Sequence, residues 1–220
     1  MQRYLTPSWP APKNIMACTT LRGTALTQIA LPAEPSWLKQ VHGKIVVCVD
    51  QLTIELPEAD ASVAFTANKV CAIRTADCLP ILICDKAGTQ VAAIHAGWRG
   101  LAAGIIATTC KQLTSAMSDC LVWLGPAIGP NAFEVGQEVV DAFIGYGWDS
   151  KQIALGFTPQ PHAKWFANLY YLARIALQQQ GVLASNIYGG EWCTFSDPQR
   201  FYSYRRSADL GRMVSLIWMK

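Results

Sequence analysis

Short apolar runs separated by turn residues fill the first half of the chain. The runs are rich in Val, Ile, Ala and Cys and end near Gly, Asn, Asp or Lys, a pattern typical of β-strands. We predict strands at residues 44–49, 61–66, 70–74, 80–84 and 90–96. Because few residues connect successive runs, many neighbouring strands are expected to be antiparallel.

Longer amphipathic stretches appear after residue 97. The Ala-, Ile- and Leu-rich stretch 99–113 predicts a helix, and 168–180 predicts another, with Leu169, Leu172 and Ala176 on one face and Gly181 at its end. A further helix is predicted at about 136–143. Two Gly and two Pro predict a rigid loop at 125–130, and strands are predicted at 121–124, 187–190, 201–205 and 213–218.

The predicted strands and helices mix without a strict β-α-β alternation. We therefore predict an α+β sandwich with mixed sheets rather than a doubly wound fold. The 220 residues suffice for one substantial core and no linker divides them, so residues 1–220 are expected to form a single domain.

The composition restricts the expected function. The net charge is +3 and the basic residues form no run beyond Arg205-Arg206, so we expect no nucleic-acid partner and a small anion instead. Neither G-x-G-x-x-G nor G-x-x-x-x-G-K-[ST] follows a predicted strand. The common phosphate-binding loops are therefore not expected.

The termini and cysteines indicate the compartment. The first 14 residues lack the apolar stretch of a signal peptide and no long apolar run suggests a membrane span, so we expect a soluble, cytoplasmic protein, ordered beyond its first dozen residues. Eight cysteines form no C-x-x-C pair, and Cys48, Cys71 and Cys84 lie inside apolar runs. Reduced thiols are expected, with neither a zinc ribbon nor a redox pair.

Three residues at the ends of strand-like runs form the candidate site. His42, Cys78 and His95 supply two imidazoles and a thiolate, a ligand set of catalytic zinc sites that keep a fourth position open. A metal-free interpretation uses the same atoms, with Cys78 as a nucleophile, His95 as its base, and Asp77 or His42 orienting the imidazole. The third histidine, His162, is expected to be exposed in a loop.

Basic residues near these positions are candidates for binding an anion. Arg99 lies at the predicted start of a helix, where free N–H groups favour anions, and a guanidinium can hold phosphate through two hydrogen bonds. The alternative for Arg99 is a salt bridge to an acidic residue. Arg74, Arg205 and Arg212 are further candidates, and Trp98 is expected in the core.

Several motifs together resemble a known family. They are Gln-Val-His-Gly at 40–43, Thr-Ala-Asp-Cys-Leu-Pro at 75–80, His-Ala-Gly-Trp-Arg-Gly at 95–100, Gly-Pro-Ala-Ile-Gly-Pro at 125–130, Phe-Glu-Val-Gly at 133–136, Phe-Tyr-Ser-Tyr-Arg-Arg at 201–206 and Gly-Arg at 211–212. In this order they closely resemble the multicopper polyphenol-oxidase (laccase) domain family, whose members are now regarded as purine nucleoside phosphorylases.

The resemblance implies a fold, a cofactor and an activity. The implied fold is a layered α/β/β/α sandwich, shared with a bacterial glutamine-deamidating toxin that uses Cys and His. The implied cofactor is zinc held by His42, Cys78 and His95, for which copper could substitute. The implied reactions are phosphorolysis of adenosine, inosine and methylthioadenosine, with an accompanying adenosine deaminase activity.

Each candidate residue then has an expected role. The open position of the zinc is expected to take phosphate or water, and Arg99, Arg205 and Arg74 are expected to bind the substrates. Asp77 is expected either to fix a ligand imidazole or to protonate the leaving purine. Zinc deaminases add a Glu in an H-x-E motif that this chain lacks, so Asp77 is the nearest carboxylate for deamination.

Two considerations keep other functions open. Residues 24–39, between Thr-Leu-Arg-Gly at 20–23 and Gln40, form a shorter segment than the family's, so a non-catalytic metal-binding module is an alternative. A copper-dependent phenol oxidase is another, although a multicopper centre needs far more imidazoles than three histidines supply. The expected partners are small purine nucleosides and phosphate, without a membrane.

Overall fold

The computed structural model describes residues 2–53, 55–207 and 211–220. Its strands are β1 Tyr4–Leu5, β2 Ile15–Thr20, β3 Val46–Cys48, β4 Ala61–Ala64, β5 Cys71–Thr75, β6 Leu79–Asp85, β7 Val91–Ala96, β8 Cys120–Leu124, β9 Glu134–Gly136, β10 Phe157–Gln160, β11 Lys164–Ala167, β12 Ile187–Gly189 and β13 Met213–Met219. Its helices are α1 Trp98–Ala103, α2 Ile105–Cys110, α3 Gln137–Gly145, α4 Ser150–Gly156, α5 Leu169–Gln179 and α6 Tyr204–Ser207.

The strands form two large sheets and a small one. The strand order is β12-β8-β6-β7-β4-β3 in the six-stranded sheet and β1-β2-β13-β5 in the four-stranded sheet. The pairs β12–β8 and β3–β4 are parallel and the other pairs of the larger sheet are antiparallel. A small antiparallel sheet has the order β10-β11-β9. The predicted α+β class with mixed sheets is confirmed.

The two large sheets pack face to face. Successive side chains of a strand point to opposite faces, so β6 contributes Leu82 and Cys84 to the layer between the sheets. These residues share a buried core with Ile73 of β5 and Ile217 of β13. The four-stranded sheet therefore covers one face of the six-stranded sheet.

Helices cover the other face of the six-stranded sheet. Ile81 and Ile83 of β6 share a core with Leu101 of α1, Ile105 of α2 and Leu172 of α5. Because both faces are covered, β6 and β7 are buried at every position. This burial explains why their sequences are continuous apolar runs without alternation.

The outer face of the four-stranded sheet is covered by an irregular segment. Leu216 and Trp218 of β13 pack against Leu26, Ile29 and Trp37, and residues 26–28 form a short 3-10 turn. In the part of the chain described, this segment covers the outer face of the four-stranded sheet with a loop and a short 3-10 turn. This loop falls within the segment 24–39, which the family resemblance indicates to be short.

Two sequence predictions of secondary structure are wrong in detail. The predicted helix 99–113 is divided at Gly104, whose φ of 91° ends α1 before α2 begins. The predicted strand 201–205 is irregular and leads into α6. Ser203 and Arg205 hydrogen-bond to Asp77 instead of to a neighbouring strand. Strand β2, helix α4 and the small sheet have no counterpart among the predictions.

Regular structure begins closer to the N-terminus than the sequence indicates. Strand β1 pairs with β2, and Trp9 packs against the core between the sheets. Met1 lies outside the described residues. Among the residues described, none of the helices has the length and apolar character needed to span a bilayer.

Candidate metal centre

Strand β7 brings the three predicted ligands to one edge of the six-stranded sheet. It lies between β6 and β4 and runs antiparallel to both, so its C-terminal end lies beside their N-terminal ends. His95 is near the end of β7, and Cys78 directly precedes β6. His42 reaches the same place from the loop before β3.

Asp60, which no sequence motif indicates, holds both histidines in place. Its carboxylate accepts hydrogen bonds from the backbone N–H groups of Val41 at 3.3 Å, His42 at 2.9 Å and Gly43 at 2.7 Å. The same carboxylate lies 2.8 Å from Nδ1 of His95. Because Asp60 is fully buried, it fixes the His42 loop and the His95 ring together.

The ligand atoms are close enough to bind one metal ion. One ligand atom from each of His42, Cys78 and His95 lies within 4.8 Å of the others, and Cys78 Sγ is 3.8 Å from His42 Nε2. Tetrahedral bonds of roughly 2.0–2.3 Å separate two ligand atoms by about 3.6 Å. Since Asp60 engages Nδ1 of His95, Nε2 of that ring is the nitrogen left for a metal. Two imidazoles and a thiolate fit zinc with one open position.

The surroundings of Cys78 favour its thiolate. Burial alone would raise the pKa of Cys78, but hydrogen bonds and charge from His42 and His95 lower this pKa to about 6. Burial likewise opposes a charge on His95, yet Asp60 and the Cys78 sulfur raise the pKa of His95 to about 9. A thiolate is the form of cysteine that binds metals and also the form that acts as a nucleophile.

Two glycines let α1 approach the candidate ligands. A Cβ atom at Gly97 would lie 3.0 Å from Cδ2 of His42 and 3.1 Å from Sγ of Cys78. A Cβ atom at Gly100 would lie 2.7 Å from the carbonyl oxygen of Gly43. The glycines of the motif at 95–100 are therefore explained by close packing around the ligands.

A cavity of about 740 Å³ opens at the three ligands. The residues that the sequence indicates as catalytic or substrate-binding all line it, namely His42, Asp77, Cys78, His95, Arg74, Arg99 and Arg205. Arg212 and the apolar residues Ile128, Phe133 and Tyr204 also line it. Its volume lies in the range of small-molecule sites. His162 is exposed in the turn between β10 and β11, as expected.

Three arginines of the cavity stack on aromatic rings. Arg74 lies over Trp37 at 3.9 Å, Arg99 over Trp98 at 4.4 Å and Arg205 over Phe133 at 5.4 Å from the ring centroids. Within the described ranges, no carboxylate oxygen lies within 4.0 Å of these guanidinium groups, so Arg99 forms no salt bridge there. Trp98, expected in the core, is half-buried, packs against the core beneath the helices and also lines the cavity. Stacking orients the cations without neutralising them.

The side chain of Asp77 hydrogen-bonds to Thr194, Ser203 and Arg205 and not to a candidate ligand imidazole. Its Oδ1 accepts a hydrogen bond from the Thr194 hydroxyl at 2.6 Å, and its Oδ2 accepts bonds from the Ser203 hydroxyl at 3.0 Å and the Arg205 N–H at 2.7 Å. The contact to a candidate ligand imidazole, one of the two roles expected of Asp77, is made by Asp60 to His95. Asp77 instead ties the approach to β6 to the segment that contains α6.

A family profile described as multi-copper polyphenol oxidoreductase laccase matches residues 16–220. The chain belongs to this family. The family's description implies several copper ions, but the chain has three histidines, and the cluster among the described residues that could hold a metal ion is His42, Cys78 and His95. Within those residues, the site resembles a mononuclear centre and not a multicopper centre.

Relatives in this family are named purine nucleoside phosphorylases. One from Pseudomonas aeruginosa is 44% identical to the chain, and YfiH from Escherichia coli is 41% identical, and each comparison covers 100% of both proteins. Both alignments run over 248 positions, whereas the chain has 220 residues. Each relative therefore carries residues that have no counterpart in this chain.

Solved structures share the fold. A Neisseria meningitidis protein superposes with a TM-score of 0.92 at 38% identity and covers 100% of both chains. A Bacillus licheniformis protein described as hypothetical protein YfiH has a TM-score of 0.89 at 21% identity, covering 100% of this chain and 97% of its own. The layered sandwich described above is thus the fold of its relatives.

Proposed function

We propose that the chain is a zinc-dependent purine nucleoside phosphorylase that cleaves adenosine, inosine and methylthioadenosine with inorganic phosphate. One observation carries the proposal: the cluster of His42, Cys78 and His95 lines the same cavity as Arg99 and Arg205. The names of relatives that align over the whole chain support the choice of reaction. The arginines suit the anionic co-substrate, and the apolar lining suits a purine.

The arginines are the groups that bind phosphate in this proposal. Arg99 and Arg205 donate charge-assisted hydrogen bonds to phosphate oxygens and orient one oxygen towards the anomeric carbon. Zinc, when bound, supplies a Lewis-acidic open position for an oxygen ligand. As the glycosidic bond breaks, positive charge develops on the ribose, and the adjacent phosphate anion stabilises that charge. The proton carried by hydrogen phosphate ends on the nitrogen of the leaving purine. The products are the free purine and ribose 1-phosphate, or 5-methylthioribose 1-phosphate when the substrate is methylthioadenosine.

We extend the proposal to adenosine deamination in the same cavity. Replacing the 6-amino group by water requires a group that moves a proton. Among the described residues that line the cavity, Asp77 is the carboxylate available for this task. Because hydrogen bonds from three residues already occupy the oxygens of Asp77, deamination is expected to be slower than phosphorolysis. The rate of ammonia release from adenosine, divided by the rate of adenine release from adenosine in phosphate, gives the ratio of deamination to phosphorolysis.

An assay with inosine and phosphate tests the main proposal. Zinc-loaded protein is expected to yield hypoxanthine and ribose 1-phosphate only when phosphate is present. Cys78→Ala is expected to lose this activity, whereas Cys48→Ala, which alters a half-buried thiol outside the cavity lining, is expected to keep it. No product from wild-type protein with zinc fully bound would contradict the proposal and favour a non-catalytic metal-binding module.

A metal-independent cysteine hydrolase is the second candidate. The lowered pKa of Cys78 beside His95 favours it, because a thiolate next to a protonated imidazole is an activated nucleophile. Thiol alkylation would inactivate either enzyme, so removal of zinc is the discriminating step. Enzymatic activity that survives complete removal of zinc would favour the hydrolase. Oxidation of a phenol that requires added copper would favour an oxidase.

We also propose that residues 1–220 act as one domain in the cytoplasm. All eight cysteines are free in the structure, which agrees with a reducing compartment. Every layer shares an apolar core with the next, which supports a single folding unit. One cooperative unfolding transition seen by both fluorescence and circular dichroism would support the single domain, and two separate transitions would contradict it.

A further inference from the structure

An exposed aromatic residue lies at the cavity beside a fixed arginine. Tyr204 begins α6, lines the cavity and is 60% exposed. The next residue, Arg205, lines the same cavity, and its Nη1 donates a 2.8 Å hydrogen bond to the carbonyl oxygen of Glu134. Large aromatic side chains usually bury most of their surface. The Tyr204 ring therefore has much uncovered surface where a ligand would enter.

The apolar part of the cavity lining is the part suited to a planar base. Ile128, Phe133 and Leu169 line the cavity and are buried, so they form a fixed surface. Tyr204 is an exposed aromatic residue in the same lining. The proposed phosphate and metal interactions occupy the charged and metal-ligating residues, which leaves these apolar residues for the purine. Aromatic side chains stack on nucleic-acid bases of any kind because each base has a π-face.

Asp77 determines where the segment with Tyr204 lies. Its Oδ2 accepts hydrogen bonds from the groups on either side of Tyr204, the Ser203 hydroxyl at 3.0 Å and the Arg205 N–H at 2.7 Å. Asp77 is buried and has a φ of 86°, a left-handed conformation that costs energy for a residue other than glycine. Because Cys78 follows directly, this contact joins the proposed base-binding segment to the metal ligands.

We propose that Tyr204 stacks on the purine base of the substrate and that Asp77 is a positioning residue, which holds Tyr204 and Arg205 beside the metal ligands. The inference rests on the proposed function for the identity of the ligand. It assigns the base to the side of the cavity formed by α6 and the loop 125–133. In phosphorolysis it gives Asp77 a role in substrate affinity in place of donating a proton to the leaving purine.

Inosine binding and turnover by Tyr204 variants test the stacking. Tyr204→Ala is expected to raise the Kd for inosine, measured by calorimetry without phosphate, by about 10-fold, and to raise KM similarly. Tyr204→Phe keeps the ring and is expected to remain within about twofold of wild type. Tyr146→Ala is the matched control, because Tyr146 is 61% exposed and does not line the cavity.

The outcomes separate the inference from the proposed function. If wild-type protein cleaves inosine and Tyr204→Ala has an unchanged Kd and KM, stacking is wrong while the phosphorylase proposal stands. If wild-type protein binds inosine without cleaving it and Tyr204→Ala binds weakly, stacking stands and phosphorolysis fails. If wild-type protein does not bind inosine at millimolar concentration, both are overturned.

A double-mutant cycle tests the positioning role of Asp77. Asp77→Asn is expected to raise KM for inosine several-fold with zinc content unchanged, and this effect is expected to shrink in the Tyr204→Ala background. Ser203→Ala removes one of the hydrogen bonds without altering residue 77 and is expected to act in the same direction by a smaller factor. Two results would overturn this role. A fall in kcat with unchanged KM and an altered pH profile would identify Asp77 as a proton donor. An equal effect of Asp77→Asn on KM in the wild-type and Tyr204→Ala backgrounds would show that Asp77 does not act through Tyr204.

Discussion

At the scale of single residues, the Asp60 carboxylate connects the two segments that carry the histidines. It accepts the N–H groups of the His42 loop and contacts Nδ1 of His95 from a fully buried position. The three candidate ligands could be predicted because they lie in recognisable motifs. Asp60 could not, because its role depends on strand β4 lying next to β7. The only indication of this role in the sequence is that Asp60 directly precedes the apolar run of β4.

Asp60→Asn is expected to weaken metal binding by about 10- to 100-fold, because the amide removes the negative charge and orients the His95 ring less firmly. Competition with a chelator of known affinity measures the change. Asp50→Asn is the control, since Asp50 also holds a loop through the Phe65 N–H but does not contact a histidine. Equal metal affinity in wild-type and Asp60→Asn proteins would contradict the assignment.

Gly97→Ala is expected to lower the metal affinity while leaving the fold intact. The new methyl group would meet His42 and Cys78 at 3.0 and 3.1 Å, so both side chains must shift from their places. Gly145→Ala provides the comparison, because a Cβ atom there meets nothing within 4 Å. Zinc titration and thermal unfolding of both variants check this, and unaltered zinc binding by Gly97→Ala would show that the ligands are not packed against α1 as described.

At the scale of elements, burial on both faces made the central strands predictable, and tertiary contacts explain the errors. The apolar runs of β6 and β7 match their predicted positions within one residue. The alternating sequence at 201–205 resembles a strand, but hydrogen bonds to Asp77 hold it in another conformation. The predicted helix 99–113 contains Gly104, and only the structure shows that this glycine adopts a positive φ.

Helix α5 fixes the rigid loop 125–130 through one hydroxyl group. The Tyr170 hydroxyl accepts a hydrogen bond from the Ala127 N–H at 2.8 Å and lies within hydrogen-bond distance of the carbonyl oxygens of Gly125 and Trp192. Tyr170→Phe leaves these buried groups without that partner, so we expect a loss of about 1–3 kcal/mol in the free energy of unfolding. Tyr171→Phe, at a half-buried neighbour, is expected to change it by less than about 0.5 kcal/mol. Equal stabilities in urea denaturation would contradict this role.

At the scale of the whole molecule, buried carboxylates couple stability to pH. Burial alone would raise the pKa of Asp85, but hydrogen bonds from the hydroxyl and N–H groups of Thr89 and the hydroxyl of Ser115 lower it below its usual value. The pKa values of Asp50 and Asp60 are also lowered by hydrogen bonds that outweigh burial. Because the unfolded chain then binds protons more tightly, this stabilisation is present above about pH 4 and is lost as the pH falls through the native values.

We therefore expect the free energy of unfolding to decrease as the pH falls below about 4. Asp85→Asn is expected to reduce stability at neutral pH and to make the acid dependence shallower, since one of the responsible carboxylates is gone. Denaturant unfolding across this pH range measures both effects. An acid dependence of the same slope in Asp85→Asn and wild-type proteins would contradict the contribution of Asp85.

The layered architecture could be anticipated as a class, but its outer layer could not. Apolar runs and amphipathic helices indicate a sandwich, whereas the packing of Leu26 and Trp37 on the four-stranded sheet depends on an irregular segment without periodicity. The layers place the ends of β4, β6 and β7 at one edge, and the candidate metal centre lies there. The assignment of function depends on that centre binding zinc.

Metal analysis of the purified protein tests this claim most directly. Wild-type protein is expected to contain about one zinc ion per chain, Cys48→Ala the same amount, and Cys78→Ala less than about a tenth of it, because a thiolate ligand is lost. Zinc content in Cys78→Ala equal to that of wild type, or wild-type protein that binds no zinc when supplied with it, would contradict the account.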